Sequence, residues 1–530
     1  MPPWLPEADF GHFQEERRLT AEQIQTIADW VTSGSLEGSK DDLPAAPTFN
    51  SEWQLGPPDL AVTAGSKFFV PASGSDVFWN FTFQPEIKTT RYVRAIEIRP
   101  TGLPDVNCSS CGDEIDGSRI VHHANMLIDR TGSTSHMESK PGAGFPGMEL
   151  NLDRNPFDPV SHFLFWKPGS PPYSEREGFS WRLDPGNRLV LNTHLQPSGK
   201  PQSLQPVIGL YFTDKPPTRF PLLMELENDN ALDIPAGERN FRVADDFRLP
   251  MDVSVLAIYP HAHYLGKVLE AYATLPDQKR VWLIRIPDWN LNWQAVYRYS
   301  DPVFLPKGTV VSMRFTYDNS ASNPRNPNQP PKRVQAGNRA ADEMGHLWLQ
   351  VLPAGRGDRR RELEEALARH RLKKAPDDAQ AHLNLGALML SRLETQAAIT
   401  EFQTATKLNP AQPEAHDMLG SALRSIGRSN DALAEYRVAL RLDPSFMDAR
   451  YNLAVTFAHE GRFREAVPNL RAVVNAFPNS SRLRNELGEV LAKSGDAAGA
   501  LSQFDFALQL DPSNQYAAKN RESVLRESAK

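Results

Sequence analysis

From Asp358 to the C-terminus a single interval governs the chain. Pro376, Pro410, Pro444, Pro478 and Pro512 are each 34 residues apart, and the same interval relates Gly386, Gly420, Ala454 and Gly488. It also relates Ala398, Ala432, Ala466 and Ala500, and again Phe402, Tyr436, Leu470 and Phe504. A fixed period of this length means one supersecondary unit repeated in register, each copy burying its apolar face against its neighbours. Upstream the pattern is different, and most of the 44 prolines lie in the first two thirds. The shift at Asp358 is the clearest domain boundary in the chain.

The spacing resembles the tetratricopeptide repeat, a helix-turn-helix unit that stacks through small residues and closes on a proline turn. The resemblance implies an all-α solenoid over residues 356–530. Four repeats are countable, with a charged helix at Arg359–Lys374 capping the front and the segment Ser513–Ser528 the back. It also implies a protein or peptide partner on the concave surface, another copy of the chain included. A net charge of −7 gives no sign of a nucleic-acid partner. No apolar run is long enough to span a membrane, and two cysteines cannot staple a chain of this size.

Residues 51–355 read as all-β. Runs such as KFFVP, DVFWNFTF, RYVRAIEIRP, VIGLYFT, VSVLAIYP, KRVWLIRIP and VVSMRFTYDN are separated by Pro, Gly, Asn and Asp clusters. That is the pattern of a sandwich or jelly roll, and a stretch of this length suits two such domains. Their junction falls at Asp214–Phe220, DKPPTRF, where proline interrupts pairing. The expected fold class is therefore multidomain. A short N-terminal helical segment (1–50) precedes two all-β jelly-roll or sandwich domains (51–215 and 216–355) and the all-α tetratricopeptide solenoid (356–530).

Histidines concentrate in the β region. His261 and His263 sit two apart in YPHAHYLGKVL, a run that alternates like a strand, so both imidazoles project from one face. Upstream lie His122 and His123 in RIVHHANMLID and His194 in RLVLNTHLQPSG, and downstream lies Met344 in ADEMGHLWLQV. Adjacent histidines on a regular strand point to opposite faces, so sharing one metal requires a strand end, a bulge or different ring nitrogens. Three neutral imidazoles suit Cu(I) and Cu(II) alike and pass an electron with modest rearrangement. Two imidazoles with a soft thioether favour Cu(I), the state that binds and reduces dioxygen. Zinc fits the methionine poorly, and hard cations want carboxylates.

Five stretches in order, VHHANML, FLFWKPG at Phe163–Gly169, LVLNTHLQPSG, HAHYLGKV and DEMGHLWLQV, carry a family resemblance. From about Ser51 to Pro353 the chain resembles the copper type II, ascorbate-dependent monooxygenases, the group of peptidylglycine alpha-hydroxylating monooxygenase and dopamine beta-monooxygenase. The resemblance implies two linked jelly rolls, each holding one copper ion across an open, solvent-filled gap. It assigns His122, His123 and His194 to an electron-transfer copper, and His261, His263 and Met344 to the oxygen-binding, catalytic copper. It implies insertion of one atom of O2 into an aliphatic C–H bond of a small-molecule or peptide-like substrate, with water as the second product. Where the peptide-processing members have a carboxylate-anchoring arginine, this chain has Tyr259 and Pro260, so bidentate capture is not provided there. His346 replaces their asparagine and Trp348 their tyrosine. His346 lies at i+2 from Met344, on the same strand face, as a spare ligand, a substrate contact or an outer-sphere group. Tyr259, Trp348 and Asn192 are the other candidates for substrate or outer-sphere contact.

At the N-terminus Thr20 and Gln23 form a capping box, Ile24, Ile27, Ala28 and Val31 follow at helical spacing, and Gly34 stops the helix. The Met-Pro-Pro-Trp start with ERRLTAEQIQTIADWVTSG resembles the end of a c-type cytochrome domain; the alternative is that this helix is merely an N-terminal arm packed on the next domain. Cys108-Ser-Ser-Cys111 is followed by Gly112 rather than histidine, so no haem is attachable in this chain. The expectation is a start that lacks upstream residues and a secretory signal, an extracytoplasmic, periplasmic location, and either ascorbate or a cytochrome as reductant.

Smaller features have plainer readings. Cys108 and Cys111 suit a local loop disulfide better than redox chemistry, and His136 and His162 suit surface or satisfied polar positions. Trp289 and Trp293 either line a pocket or are buried in the sandwich. Asn323–Arg333 is a long loop before the methionine strand, near the active-site rim. A competing reading is a non-catalytic repeat scaffold with a degenerate or copper-storing double sandwich; the presence of all six ligands weighs against it. A third, a protein of electron transfer alone, requires the methionine site closed to oxygen and substrate.

Overall fold

The computed structural model describes residues 4–43, 53–74, 76–100, 102–103, 120–130, 134, 137–147, 165–337, 339 and 341–528. The chain divides into two compact units, Met1–Leu367 and Ala368–Lys530. Cys108, Cys111, His136 and His162 lie outside the described residues.

The first unit is β-rich and holds two sheet pairs. In the first pair one sheet runs Leu60–Thr63, Val207–Thr213, Arg91–Arg99, Trp181–Leu183, with Tyr173–Ser174 also on Arg91–Arg99. The other runs Phe145–Pro146, Val77–Phe83, Arg188–Leu195, Val121–Asp129, Phe165–Trp166. Phe81, Phe83, Met126, Leu189 and Leu191 from one sheet meet Val93, Ile96, Trp181, Ile208 and Leu210 from the other in one core. The strand period of two puts these side chains inward. A buried charge network fixes the segment that follows Val121–Asp129. The Glu138 carboxylate accepts from the Arg188 guanidinium at 2.6 Å, from Gly144 N–H at 3.1 Å and from the Thr82 hydroxyl.

The second pair has sheets in the orders Leu222–Glu227, His346–Pro353, Val253–His261, Tyr297–Leu305 and Phe241–Arg248, Val310–Tyr317, Gly266–Thr274, Arg280–Ile286. All their pairings are antiparallel. No strand is assigned between Thr213 and Leu222, where DKPPTRF places the junction.

The start of the chain departs from the expected helix-and-linker. Before the helix, residues 4–15 run as an arm along the second sheet pair. Glu7 N–H donates to Arg285 O at 2.8 Å, Gln14 N–H to Arg298 O at 2.7 Å, and Ser300 N–H to His12 O at 3.0 Å. Phe13 is buried against Tyr297 and Tyr299, and Trp4 meets Tyr297 edge-on. The arm thus covers the sheet edge formed by Tyr297–Leu305. The helix that follows, Ala21–Thr32, has the expected capping box at Thr20 and Gln23 and buries none of its residues.

The second unit is all-α. After the helix Arg360–Lys374, four helix pairs run from Ala379–Ser391 to Ala497–Leu510, and Gln515–Ser528 closes the array. The period has a packing cause. A Cβ on Gly386 would lie 2.6 Å from the Phe402 ring, on Gly420 2.7 Å from Tyr436, and on Gly488 2.5 Å from Phe504. In the third repeat the large partner is Leu470, and its opposite number is Ala454. A second periodic contact ties each first helix to the preceding turn. His382 Nε2 lies 3.0 Å from Pro376 O and His416 Nε2 3.1 Å from Pro410 O, while Arg450 and Arg484 donate to Pro444 O and Pro478 O.

Candidate metal centres

The first centre is made by a defect in pairing. Strand Arg188–Leu195 matches Val121–Asp129 with His194 opposite His123, but the next pair is Leu195 with Val121. His122 is therefore the extra residue of a β-bulge, which turns its ring to the side its neighbour uses. His122 Nδ1 lies 3.2 Å from His194 Nδ1 and 3.1 Å from His123 Nδ1. Nitrogens bound tetrahedrally at about 2.0 Å from one ion would stand about 3.3 Å apart, so both separations are the size a small cation requires. Among the described residues this is the one group of three or more His, Cys, Asp or Glu with converging donor atoms.

The protonation states agree with that use. Burial, then the neighbouring His194, pushes His122 down to about 4, and burial holds His123 and His194 below the usual histidine range. All three are neutral near pH 7, the state a metal requires. His194 Nε2 sits 2.8 Å from Asp76 Oδ2, which also accepts from Gln196 at 3.0 Å. A proton held on Nε2 by that carboxylate leaves the Nδ1 lone pair facing the centre.

At the second group the expected strand stops early. Val253–His261 ends with His261 opposite His346, and residues 262–265 turn before Gly266–Thr274 begins. Side chains take over the backbone bonds a ladder would supply. The buried Glu343 carboxylate accepts from His263 N–H, from Leu265 N–H at 2.9 Å and from Met344 N–H at 2.9 Å. The Trp289 indole N–H is shared by Ala262 O and His263 O, each at 3.1 Å, which settles Trp289 as buried support rather than pocket lining. Glu343 thereby ties the His263 backbone to the Met344 backbone.

Both second-group rings are fixed in one tautomer. His263 Nδ1 lies 3.0 Å from Asp342 O, which only accepts, and His261 Nδ1 lies 2.8 Å from Gln294 Oε1, which also accepts from the Tyr259 hydroxyl at 2.6 Å. Each proton is on Nδ1, so each free lone pair is on Nε2. The rings stand nearly perpendicular, 5.3 Å between centroids. Burial holds both neutral, His261 down to about 3. The donor chemistry of the two groups fits copper: nitrogen alone at one, nitrogen with a neighbouring thioether residue at the other.

The remaining candidates take other roles. His346 has Glu225 Oε1 2.9 Å from Nδ1 and Asp229 Oδ1 3.1 Å from Nε2. Burial works against its charge, but the two acids overcome this and hold its pKa up to about 10, which disfavours the neutral form a metal ligand needs. Asn192 is buried, donating its amide to Asn80 at 2.7 Å and Gly147 O at 3.2 Å, a structural link. Tyr259 and Trp348 stack on each other at 5.4 Å beside His261. The Asn323–Arg333 loop is held by its own amides and by Arg325, which donates to Trp289 O at 2.7 Å. Asp76, Gln294 and Glu343 were not identified from the sequence. Glu343, an acid abutting the methionine, offered the best signal.

Comparison with known proteins bears on the second unit. The tetratricopeptide-repeat profile matches residues 360–413 and 451–515, and a TPR-repeat profile matches 420–461. Similar solved structures include YrrB, a TPR protein with an unusual peptide-binding site (21% identity, 31% of this chain and 84% of that one, TM-score 0.29). Others are MamA (22%, 29% and 92%, TM-score 0.28) and MamA from residue 41 onward of Desulfovibrio magneticus RS-1 (22%, 29% and 96%, TM-score 0.26). No curated protein matches the chain in sequence. No helix among the described residues is long and apolar enough to cross a membrane. The region from residue 360 to 515 is a tetratricopeptide-repeat array, a fold that supports a protein or peptide partner.

Proposed function

We propose that the protein is a copper-dependent monooxygenase that hydroxylates an aliphatic C–H bond with O2 and an external electron donor, and that its repeats hold a protein or peptide partner. The observation that carries this reading is the convergence of three neutral Nδ1 atoms, from His122, His123 and His194, in the same unit as a two-histidine group that frees Nε2 and whose His263 backbone shares the Glu343 carboxylate with the Met344 backbone. His122, His123 and His194 would hold one copper ion and His261, His263 and Met344 the other, each set on one of two jelly rolls. Copper bound at both groups supplies one-electron transfer and the activation of dioxygen. The chain's own residues do the rest. Asp76, Gln294 and the Asp342 carbonyl fix which nitrogen faces each centre, burial keeps the imidazoles unprotonated, and Glu343 holds His263 and Met344 together.

The aromatic wall of Tyr259 and Trp348 favours an apolar part of a small-molecule or peptide-like substrate over a terminal carboxylate, since the Tyr259 hydroxyl is already committed to Gln294. Ascorbate or a cytochrome donor in an extracytoplasmic, periplasmic compartment completes the reading. The repeat array favours a second reading, a scaffold whose β unit stores copper without turnover. Copper titration tests the metal sites that both readings require: wild type should bind two ions per chain, and His194→Ala one. A wild type that binds none excludes both copper roles.

A further inference from the structure

The two histidine groups are joined by aromatic rings. His123 stacks on Phe165 with centroids 5.3 Å apart and planes 29° apart, Phe165 lies 5.2 Å and 34° from Tyr259, and Tyr259 lies 5.8 Å and 29° from His261. Every step is within the range of direct ring contact. Phe165 belongs to the sheet that carries the first group and Tyr259 to the strand that carries the second. A second bridge locks them in place: Lys167, two residues after Phe165, donates to the Gln294 carbonyl at 3.0 Å, and the Gln294 side chain accepts from Tyr259 at 2.6 Å. The polar clamp keeps Phe165 and Tyr259 against each other.

We propose that Phe165 and Tyr259 are the electronic link between the two centres, carrying an electron from ligand to ligand through stacked rings instead of across open solvent. The proposal rests on the two-copper reading. One electron leaves a reduced Cu(I) at the three-histidine group, which becomes Cu(II), and one electron reaches a Cu(II) at the His261 group, which becomes Cu(I). No bond forms or breaks, and no proton moves. Tyr259 is suited to pass an electron without becoming a radical itself. Its phenol O–H is hydrogen-bonded to the Gln294 amide oxygen, which cannot take the proton. Phe165 has no proton to lose. In electron transfer both act as positioning residues.

The test uses the full chain loaded with copper, mixed anaerobically with ascorbate and freeze-quenched, with the Cu(II) electron paramagnetic resonance signal read against time. Wild type and Tyr259→Phe should lose both coppers' signal in one phase. Tyr259→Leu and Phe165→Leu should still bind two ions, with one copper's share of the signal lost at the wild-type rate and the other's in a separate, slower phase. If both leucine variants hold two ions and lose the whole signal in one wild-type phase, or if Tyr259→Phe lags, the ring link is wrong. If Phe165→Leu fails to bind metal, Tyr259→Leu alone decides. A wild type that does not bind two ions overturns the two-copper reading, and with it the link, by stoichiometry rather than by kinetics.

Discussion

Changing Gly386 to alanine should be harmful in this chain and harmless once Phe402 is replaced by leucine. Gly386 lies inside the helix Ala379–Ser391, and an added Cβ would stand 2.6 and 2.7 Å from two carbons of the buried Phe402 ring. Comfortable carbon contacts begin near 3.5 Å, so the ring must give by almost an ångström in a filled interior, at a cost of about 1–3 kcal/mol. Helix propensity opposes this, since alanine in place of glycine gains about 1 kcal/mol. The single variant should therefore lose from about zero to 2 kcal/mol. Phe402→Leu alone empties part of the core and should also destabilise, by about 1 kcal/mol or more. In the double variant the clash is gone and the propensity gain remains, so the two changes should couple favourably by about 1–3 kcal/mol. The third repeat carries that combination, with Ala454 and Leu470 at the equivalent positions. The assay is a double-mutant cycle on the full chain, read by hydrogen exchange of peptides from the first repeat across a denaturant series. If Gly386→Ala costs the same in the wild-type background and in the Phe402→Leu background, within about 0.5 kcal/mol, the packing account of the period is refuted.

Three further outcomes follow from the same contacts. His382 and His416 each place Nδ1 near a glutamate, at 2.6 and 2.7 Å, and Nε2 near a proline carbonyl. Both bonds form at once only in the imidazolium, and the paired Glu401 and Glu435 raise both pKa values above the usual histidine value against the pull of burial. A raised folded pKa means stability fully present below about pH 6.5 and lost as pH rises through the folded value. The first two repeats should thus loosen as pH rises above about 6.5, by about 1 kcal/mol per histidine. The double variant His382→Arg with His416→Arg, copying Arg450 and Arg484, should flatten that dependence in hydrogen exchange, and an unchanged slope would contradict the assignment. Asp76→Asn should weaken copper at the first group by about 10–100-fold while leaving the second unchanged, as measured by competitive chelator titration. The metal-free β unit should lose stability as pH falls from about 6.5 toward 4, because unfolding lets the depressed His122, His123 and His194 bind protons. Thermal melts of the metal-free protein that are flat over that window would count against neutral, converging imidazoles.

The repeat array was legible because its cause is local and recurrent: a glycine must sit wherever a ring packs on the preceding helix, and the interval repeats with the contact. The β region was legible as strands. The need for a bulge at His122 could be argued from two adjacent histidines, and the pairing shift at His194 supplies it. What strand periodicity could not give was the end of the strand at His261, since Glu343 and Trp289 replace its ladder from 80 and 26 residues away. Spacing puts His346 on one strand face with Met344, but the strand begins at His346 and Met344 lies before it. The charge of His346 comes from Glu225 and Asp229 on another strand and the loop after it, and no spacing within its own segment reveals them. The arm at residues 4–15 packs on residues that lie far along the chain, from Arg285 to Ser300, so nothing near it in sequence announces the contact.

The most direct test of the central claim is oxygen consumption by the copper-loaded full chain with ascorbate, wild type beside Met344→Ala, with bound copper counted in both. The account predicts ascorbate-driven oxygen uptake in wild type and its loss in Met344→Ala, whose first group should still hold its ion. Oxygen uptake indifferent to Met344, or a wild type with two coppers and no uptake, would contradict the monooxygenase and leave a copper-holding repeat scaffold.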